Sequence, residues 1–178
     1  MRNYFEFFDL PTSFQIDEAE LKRRYYDNSK RYHPDFHTHA DAARQAEMLE
    51  MASLNNEAWR TLANHESRTR HLLQLHGLMR DERQTPAMPP DFLMEVMEIN
   101  EALMDLQMDP DPNNAERARQ AIEALRAQLE SEAESLKRQW QGPEDLQTLK
   151  KIEENFYKKR YLLRIDENLR NFAAHSDE

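Results

Sequence analysis

His33-Pro34-Asp35 is the stretch whose residue types and spacing could do chemistry most directly. An imidazole beside a carboxylate can serve as a general acid–base pair, because the carboxylate orients the imidazole or accepts from it. However, Pro34 holds both side chains in one turn, and no nucleophile or phosphate-binding loop accompanies them. We therefore expect a recognition loop, in which Asp35 forms charge-assisted hydrogen bonds with a partner and His33 fixes the loop or contacts that partner. A turn with a purely structural role and an enzyme that uses His33 and Asp35 are the alternatives.

The histidines around this turn raise the question of a metal site. His33, His37 and His39 are spaced as loop ligands could be, but they come with no fourth ligand and no second shell of orienting groups. We therefore predict no metal and no other cofactor, and we expect His37 and His39 to be solvated loop residues. The chain has no cysteine, which excludes disulfides, thiol catalysis and cysteine metal sites within it.

A basic amphipathic helix must position the turn. We predict that it begins after a capping Asp17 and stops at Pro34, because a proline restricts the residue before it and lacks an amide hydrogen. Leu21, Tyr25 and Tyr32 share one stripe and should pack inward. The other faces hold the cations Lys22, Arg23, Arg24, Lys30 and Arg31. They favour docking to an acidic partner surface, where such charges accelerate encounter, although a merely solvated helix face is the alternative.

Further helices before and after the basic helix and its turn complete the N-terminal part. We predict a short helix over Tyr4–Leu10, and a third helix from about residue 40 to residue 63 that pairs antiparallel with the basic helix. A fourth helix over 66–76 is capped by Gly77, which tolerates the left-handed conformation. The inner face of the third helix is predicted to consist of Met48, Met51, Ala52, Ala58, Trp59 and Leu62.

A proline-containing connection over 77–91 separates this part from three further helices. Periodicity predicts helices over 92–107, 114–140 and 143–172, and their short links are typical of an antiparallel three-helix bundle. The tail over 173–178 is expected to fray. The inward stripes of the last two helices are predicted to consist of Ile122, Leu125, Leu129, Leu136 and Trp140, and of Leu149, Ile152, Phe156, Leu163 and Leu169.

The helix that begins at Phe92 has one apolar stripe more than a three-helix core needs. Its core stripe steps by alternating fours and threes through Phe92, Val96, Ile99, Leu103 and Leu106. A second stripe holds Leu93, Met94, Met97, Met104 and Met108. These side chains either pack on the N-terminal part, lie exposed singly, or form a partner surface, for which flexible methionines suit adaptable packing.

Composition restricts the function further. The chain of 178 residues has 24 Lys and Arg against 34 Asp and Glu, a net charge of −10, which disfavours general nucleic-acid binding. The two glycines and the long periodic, charged segments predict helix throughout. No apolar stretch resembles a signal peptide or is long enough to span a bilayer, so we expect a cytoplasmic protein without membrane contacts.

Residues 1–76 resemble a J domain along their whole length. The matching features are Tyr4-Phe5, the basic helix, the His33-Pro34-Asp35 turn and residues 56–62 (NEAWRTL). Some positions depart from the pattern of that domain. Tyr26 and Asp27 stand where basic residues are common, Asp9 replaces a common glycine, and Asn55 occupies a usually apolar position.

The whole chain resembles the HscB family of J-protein co-chaperones, because the J domain is followed by a short linker and an acidic bundle that begins Phe92-Leu93-Met94-Glu95. Residues 72–77 (LLQLHG) fit that family too. The resemblance implies an all-α protein with a J domain over 1–76, a linker over 77–91 and a three-helix bundle over 92–172. It implies that the J domain stimulates the ATPase of a specialised Hsp70-type chaperone (HscA-like), while the bundle binds an iron–sulfur scaffold protein (IscU-like) and delivers it. The protein itself would not be an enzyme.

The resemblance also assigns residues to the two partners. It places chaperone binding on Lys22, Arg23, Arg24, Tyr25, Lys30, Arg31, His33, Pro34 and Asp35. It places scaffold binding on Leu93, Met94, Met97, Glu98, Glu101 and Phe156, although Phe156 is equally compatible with the core. A J-domain adaptor for a different client protein is the alternative function. The oligomeric state is left open, with a monomer as one possibility.

Overall fold

The structure, a computed structural model, describes residues 2–79, 86–109 and 111–176, with the backbone alone for residues 112 and 171–176. It divides into an N-terminal unit, residues 1–79, and a C-terminal unit, residues 80–178. All regular elements in the described ranges are helices, which confirms the all-α fold class. None of these helices is both long and apolar enough to cross a membrane.

The N-terminal unit is a helix pair with short flanking helices. Polar side chains cap each α-helix at its N-terminus, and Asp17 does so for the basic helix by accepting from the amide of Glu20 at 3.0 Å. The elements in chain order are α1 (Tyr4–Phe7), α2 (Glu18–Arg31), a 3₁₀ helix (Pro34–His37), α3 (Ala42–Ala63) and α4 (His65–Leu75). The predicted antiparallel pair is therefore α2 and α3, joined by the turn that begins at His33.

The core of the N-terminal unit consists of apolar side chains with little or no exposure to solvent. Its buried side chains are Phe5, Phe8, Leu10, Phe14, Leu21, Tyr32, Met48, Leu54, Ala58, Leu62, Leu72 and Leu73. Burying one such large side chain contributes about 1.5–3 kcal/mol. Leu54 was missing from the predicted inner face of α3, whereas Met51, Ala52 and Trp59 are only partly buried.

Asn55 is buried because its side chain forms hydrogen bonds to α2, which the sequence did not reveal. Its side chain is 1% exposed, and its Nδ2 donates to the backbone oxygen of Tyr25 at 3.1 Å and to Oγ of Ser29 at 3.0 Å. The Ser29 hydroxyl donates to the same Tyr25 oxygen at 2.8 Å. The polar residue at a usually apolar position is thus a cross-link between α3 and α2.

Three polar residues of α4 are also buried, and one of them, Thr69, donates its hydroxyl to the backbone oxygen of His65 at 2.8 Å. Arg68 is 1% exposed and lies 3.6 Å from Oε1 of Glu18. His71 is 3% exposed, stacks on the ring of Tyr4 with centroids 4.4 Å apart, and accepts the backbone N–H of Tyr4 on Nε2 at 3.2 Å. Burial lowers the pKa of His71 to about 4, so its imidazole is neutral at pH 7 and ties α1 to α4.

The C-terminal end of α4 is capped by Gly77, as predicted. Gly77 has φ +69°, and its N–H donates to the carbonyl of Gln74 at 3.0 Å, while the N–H of Leu78 donates to the carbonyl of Leu73 at 3.1 Å. These two bonds form a Schellman motif, for which the left-handed glycine is the favoured residue. Asp9, which stands where a glycine is common, likewise has a positive φ of 47°.

The C-terminal unit is the predicted three-helix bundle, built from α5 (Pro90–Met108), α6 (Pro112–Gln139) and α7 (Leu146–Ser176). The helices α5 and α6 begin two residues earlier than predicted, because Pro90 and Pro112 occupy first-turn positions, where the missing N–H costs nothing. By contrast, α7 begins later, at the residue after the capping Asp145. It also continues to Ser176, so the prediction that the helix ends at residue 172 is wrong.

One apolar cluster holds the bundle together. It consists of Phe92, Val96, Ile99, Ala102, Leu106, Ala118, Ile122, Leu125, Leu129, Leu162, Ile165 and Leu169. Leu103 is partly buried against it. The predicted inward position of Leu163 is wrong: its side chain is 51% exposed, whereas Leu162 is 2% exposed. The reason is that this part of α7 packs on α5 through Leu162 and Ile165, and the ring of Tyr161 beside them meets that of Phe92 edge to face.

Polar groups also join α6 to α7. Asp166, 6% exposed, accepts from Arg126 at 2.6 Å and from Arg170 at 2.8 Å. Asn155, 3% exposed, donates to the backbone oxygen of Leu129 at 3.0 Å. Because buried polar groups are costly unless they are paired, these bonds fix the register of the two helices.

Candidate functional site

The His33-Pro34-Asp35 turn is an exposed, pre-formed loop. His33 caps the 3₁₀ helix, because its Nδ1 accepts the backbone N–H of Asp35 at 3.2 Å. The neutral imidazole must therefore hold its proton on Nε2, which leaves a donor available to a partner. The side chains of His33 and Asp35 are 53% and 84% exposed.

The same geometry bears on the enzyme alternative. The carboxylate oxygen of Asp35 lies 3.8 Å from Nδ1 of His33, which is beyond hydrogen-bond distance. Nδ1 is already engaged as a backbone cap, so the carboxylate does not orient the imidazole as an acid–base pair requires. The turn thus presents a donor and a separate, exposed carboxylate, which suits recognition.

The residues that follow hold the turn in place. His37 lies with Nε2 2.9 Å from the backbone oxygen of Arg31, at the C-terminal end of α2. The prediction that His37 is merely a solvated loop residue is therefore wrong, while His39 is exposed. Gln45 of α3 adds a bond of 2.9 Å from its Nε2 to the carbonyl of Ala40. In the described ranges, no three His, Asp or Glu side chains are grouped as a metal site would require.

Phe36 is an exposed aromatic residue directly after Asp35. Its side chain is 72% exposed, and its ring meets the ring of His33 edge to face with centroids 5.9 Å apart. A large apolar group at this position has no part in the core. Phe36 was not among the predicted site residues, although an aromatic residue in a polar turn was the available signal.

The cations of α2 fall into two groups. Arg23 donates to Glu20 at 2.6 Å and lies 3.5 Å from Asp27. Arg24 donates to Glu20 at 2.6 Å and to the backbone oxygen of Phe8 at 2.7 Å. Hydrogen bonds from both arginines lower the pKa of Glu20 to about 2, so this carboxylate stays ionised. Arg23 and Arg24 are thus neutralised within the chain, and Arg24 also ties α2 to the end of α1.

Lys22, Lys30 and Arg31 form the second group. In the described residues none of the three has an ion pair within 4 Å, and all are exposed. Lys22, Tyr26 and Lys30 follow one another at intervals of four along α2 and therefore share a face. Tyr26 is 53% exposed, so the position that departs from the basic pattern still contributes to this outer surface.

Tyr25 and Pro34 complete the predicted chaperone-binding set. Tyr25 is half-buried, because its ring stacks on Trp59 with centroids 4.8 Å apart and its hydroxyl donates to Asn56 at 3.0 Å. It therefore supports the surface more than it projects from it. Pro34 is exposed and occupies the first position of the 3₁₀ helix.

The second apolar stripe of α5 is exposed, as a partner surface would have to be. The exposed fractions are 40% for Leu93, 69% for Met94, 59% for Met97, 60% for Met104 and 84% for Met108. Glu98 and Glu101 lie exposed on the same helix. This face combines apolar and acidic side chains, and it is distinct from the buried face through Val96 and Ile99.

Phe156 is not part of that exposed stripe. Its side chain is 6% exposed, and its ring meets that of Tyr157 edge to face with centroids 6.4 Å apart. The assignment of Phe156 to a scaffold-binding surface is therefore not supported. Its burial agrees with the other interpretation, a core side chain. Leu93, Met94, Met97, Glu98 and Glu101 remain together on α5.

Comparisons with known proteins agree with this architecture. A family model described as the HSCB C-terminal oligomerisation domain matches residues 88–170. A curated co-chaperone protein HscB homolog from Vibrio atlanticus is 36% identical over 141 residues, which cover 74% of this chain and 82% of the relative. The homolog from Ralstonia nicotianae is 37% identical over 102 residues, covering 57% of this chain and 58% of the relative.

Solved structures show the same likeness. The crystal structure of human co-chaperone protein HscB aligns with a TM-score of 0.70 and 28% identity, covering 97% of this chain and 83% of the human one. Chaperone HscB from Vibrio cholerae aligns with a TM-score of 0.66 and 26% identity, covering 97% and 99%. Each of the two alignments covers 97% of this chain and therefore includes parts of both units. The chain therefore belongs to the HscB family of co-chaperones.

Proposed function

We propose that the protein stimulates the ATPase of a specialised Hsp70-type chaperone, HscA-like, and delivers an iron–sulfur scaffold protein, IscU-like, to it. The observation that supports this most is the presence of two exposed surfaces with different chemistry in two separate units. The turn at His33 is polar and charged, whereas the stripe of α5 is apolar with acidic neighbours. The expected cytoplasmic location belongs to the same proposal.

The first surface acts by binding rather than by chemistry. Lys22, Lys30 and Arg31 attract an acidic patch of the chaperone and speed encounter, because unpaired surface cations act chiefly on association. The Nε2 donor of His33 and the exposed carboxylate of Asp35 then contact the chaperone. A ligand shifts a conformational equilibrium only through its differential affinity for the two states. The turn must therefore bind the hydrolysis-competent state of the chaperone more tightly than the resting state.

The second surface holds the scaffold. Leu93, Met94 and Met97 supply the apolar anchor, and a few such residues usually account for most of the affinity in an interface. Glu98 and Glu101 lie at its margin, where they favour a partner with a basic rim. The unbranched methionines let the surface adapt to the shape of the scaffold.

Isothermal titration calorimetry with purified scaffold tests the second half of the proposal. Replacing Leu93, Met94 and Met97 together by Ala should weaken scaffold binding by on the order of 2–4 kcal/mol. The matched control is Leu163→Ala, which removes an exposed leucine from α7 of the same unit and should leave the affinity unchanged. Equal affinity in a folded triple variant would place scaffold binding elsewhere.

A J-domain adaptor for a different client is the alternative. It predicts that the wild-type protein stimulates the chaperone but does not bind the scaffold at all. Partners are then captured on the immobilised wild-type chain and on the immobilised triple variant. A protein that binds the wild type but not the variant is the client that binds α5. The family model for residues 88–170 is described as an oligomerisation domain, so sedimentation equilibrium should accompany these assays.

A further inference from the structure

The exposed methionines of the described chain are concentrated on one helix face. Met94, Met97, Met104 and Met108 are 59–84% exposed, and all lie on α5. Their spacing of three, seven and four residues keeps them within one stripe of a 3.6-residue helix. By contrast, Met48 is 3% exposed, and Met51, Met79 and Met88 are partly buried.

Exposure makes these thioethers reactive without any unfolding. A sulfur lone pair attacks one oxygen of hydrogen peroxide, an S–O bond forms, the O–O bond breaks, and water leaves after proton transfer. The sulfur is oxidised by two electrons and the peroxide is reduced by two. The product, methionine sulfoxide, is polar and is returned to the thioether by methionine sulfoxide reductases.

We propose that Met94, Met97, Met104 and Met108 form a cluster of peroxide-sensitive modification sites, and that their oxidation releases the partner held by α5. That the partner is the scaffold rests on the proposed function. Oxidation places polar sulfoxides in a surface whose apolar character attracts the partner, and flexible methionine interfaces are disrupted in this way.

The effect is confined to one surface. The core face of α5, through Val96 and Ile99, is 1–2% exposed and contains no methionine. Met88 packs against the bundle core but is partly buried, so the bundle should stay folded when the four exposed methionines are oxidised. In residues 2–79 of the structure no methionine is exposed. The turn at His33 should therefore still stimulate the chaperone, and the modification would separate client delivery from ATPase stimulation.

The test begins with the full chain treated with hydrogen peroxide and then freed of it by desalting. Mass spectrometry of peptides should show sulfoxide at the four α5 methionines well before Met48, while circular dichroism stays unchanged. Oxidation of Met48 at the same rate as Met94 would overturn the assignment of a selective site. This measurement needs no partner, so it stands even if scaffold binding fails.

Binding tests the consequence. The oxidised chain should bind untreated scaffold at least on the order of tenfold more weakly, and a methionine sulfoxide reductase should restore the affinity. The matched control replaces all four methionines by Leu, which keeps the stripe apolar but cannot be oxidised. Because Met94 and Met97 belong to the proposed anchor, the affinity of this variant before peroxide is its own reference, and that affinity should not change after peroxide. Full oxidation of the four sites without loss of binding, or the same loss in the Leu variant, would overturn the proposal. If the untreated wild type does not bind scaffold, the proposed function fails, and the peptide map alone decides on the selective site.

Discussion

His71 makes the stability of the N-terminal unit depend on pH in a defined window. Burial lowers the pKa of this imidazole to about 4 from an unperturbed 6.5, and protonation would also break the bond from the Tyr4 amide to Nε2. Because the folded pKa is the lower one, stability is complete above pH 6.5. It is lost as the pH falls through 6.5 toward 4, where the unfolded chain binds a proton that the folded chain does not.

The size of the effect follows from the pKa difference. One pKa unit corresponds to 1.36 kcal/mol, so lowering the pH from 7 to 5 should remove about 2 kcal/mol of unfolding free energy. Glu20 does not titrate in this window, because the pKa of its carboxyl is held at about 2. The His71→Phe variant keeps an aromatic ring beside Tyr4 but cannot bind a proton.

Urea unfolding at pH 7, 6 and 5 measures the effect. A Trp140→Phe background leaves Trp59 as the fluorescent reporter in the N-terminal unit. The variant His71→Phe should be less stable at pH 7, since it lacks the acceptor for the Tyr4 amide, but its free energy should fall by about 2 kcal/mol less between pH 7 and 5. Parallel losses in both proteins would refute the role assigned to His71.

Three further pairs of substitutions test the roles assigned to charged, apolar and buried polar side chains. Arg31→Glu should slow association with the chaperone more than Arg23→Glu, since Arg23 is already paired with acidic neighbours; stopped-flow measurements at low and high salt check this, and equal effects would contradict it. Ile99→Ala should lower the free energy of unfolding by about 2–5 kcal/mol, whereas Met97→Ala should cost far less because the side chain is exposed; equal losses in thermal unfolding would argue against the two-stripe interpretation. Asn55→Asp should destabilise more than Asn55→Leu, because a buried carboxylate would face the Tyr25 carbonyl oxygen, and chemical denaturation would show the reverse order if the cross-link were unimportant.

Local signals in the sequence predicted much of this fold. Asp17 and Gly77 cap their helices as their residue types indicate, since capping depends on neighbouring backbone groups. The surplus stripe of α5 was also readable, because helical periodicity assigns each apolar residue to a face. Pro90 was assigned to the connection over 77–91, although a proline at the first position of a helix is favoured.

Features that depend on distant parts of the chain were not predictable in this way. Nothing near His71 or Arg68 indicates burial, which depends on packing against α1 and on Glu18 of α2. Leu163 and Leu162 are chemically equivalent, and the face of α7 that is buried is decided by where α5 packs beside it. Likewise, the pairing of Arg23 with Glu20 and Asp27, rather than with a partner, required side-chain geometry.

The most direct test is the steady-state ATPase rate of the partner chaperone, measured with the co-chaperone alone and with co-chaperone and scaffold together. The wild type should stimulate in both cases, and more strongly with scaffold present. His33→Gln should abolish both stimulations without changing helicity or thermal unfolding. Replacing Leu93, Met94 and Met97 by Ala should preserve the stimulation by co-chaperone alone and remove the additional stimulation by scaffold. A His33→Gln protein that stimulates like the wild type, or a triple variant that keeps the scaffold-dependent increase, would contradict the assignment of the two surfaces.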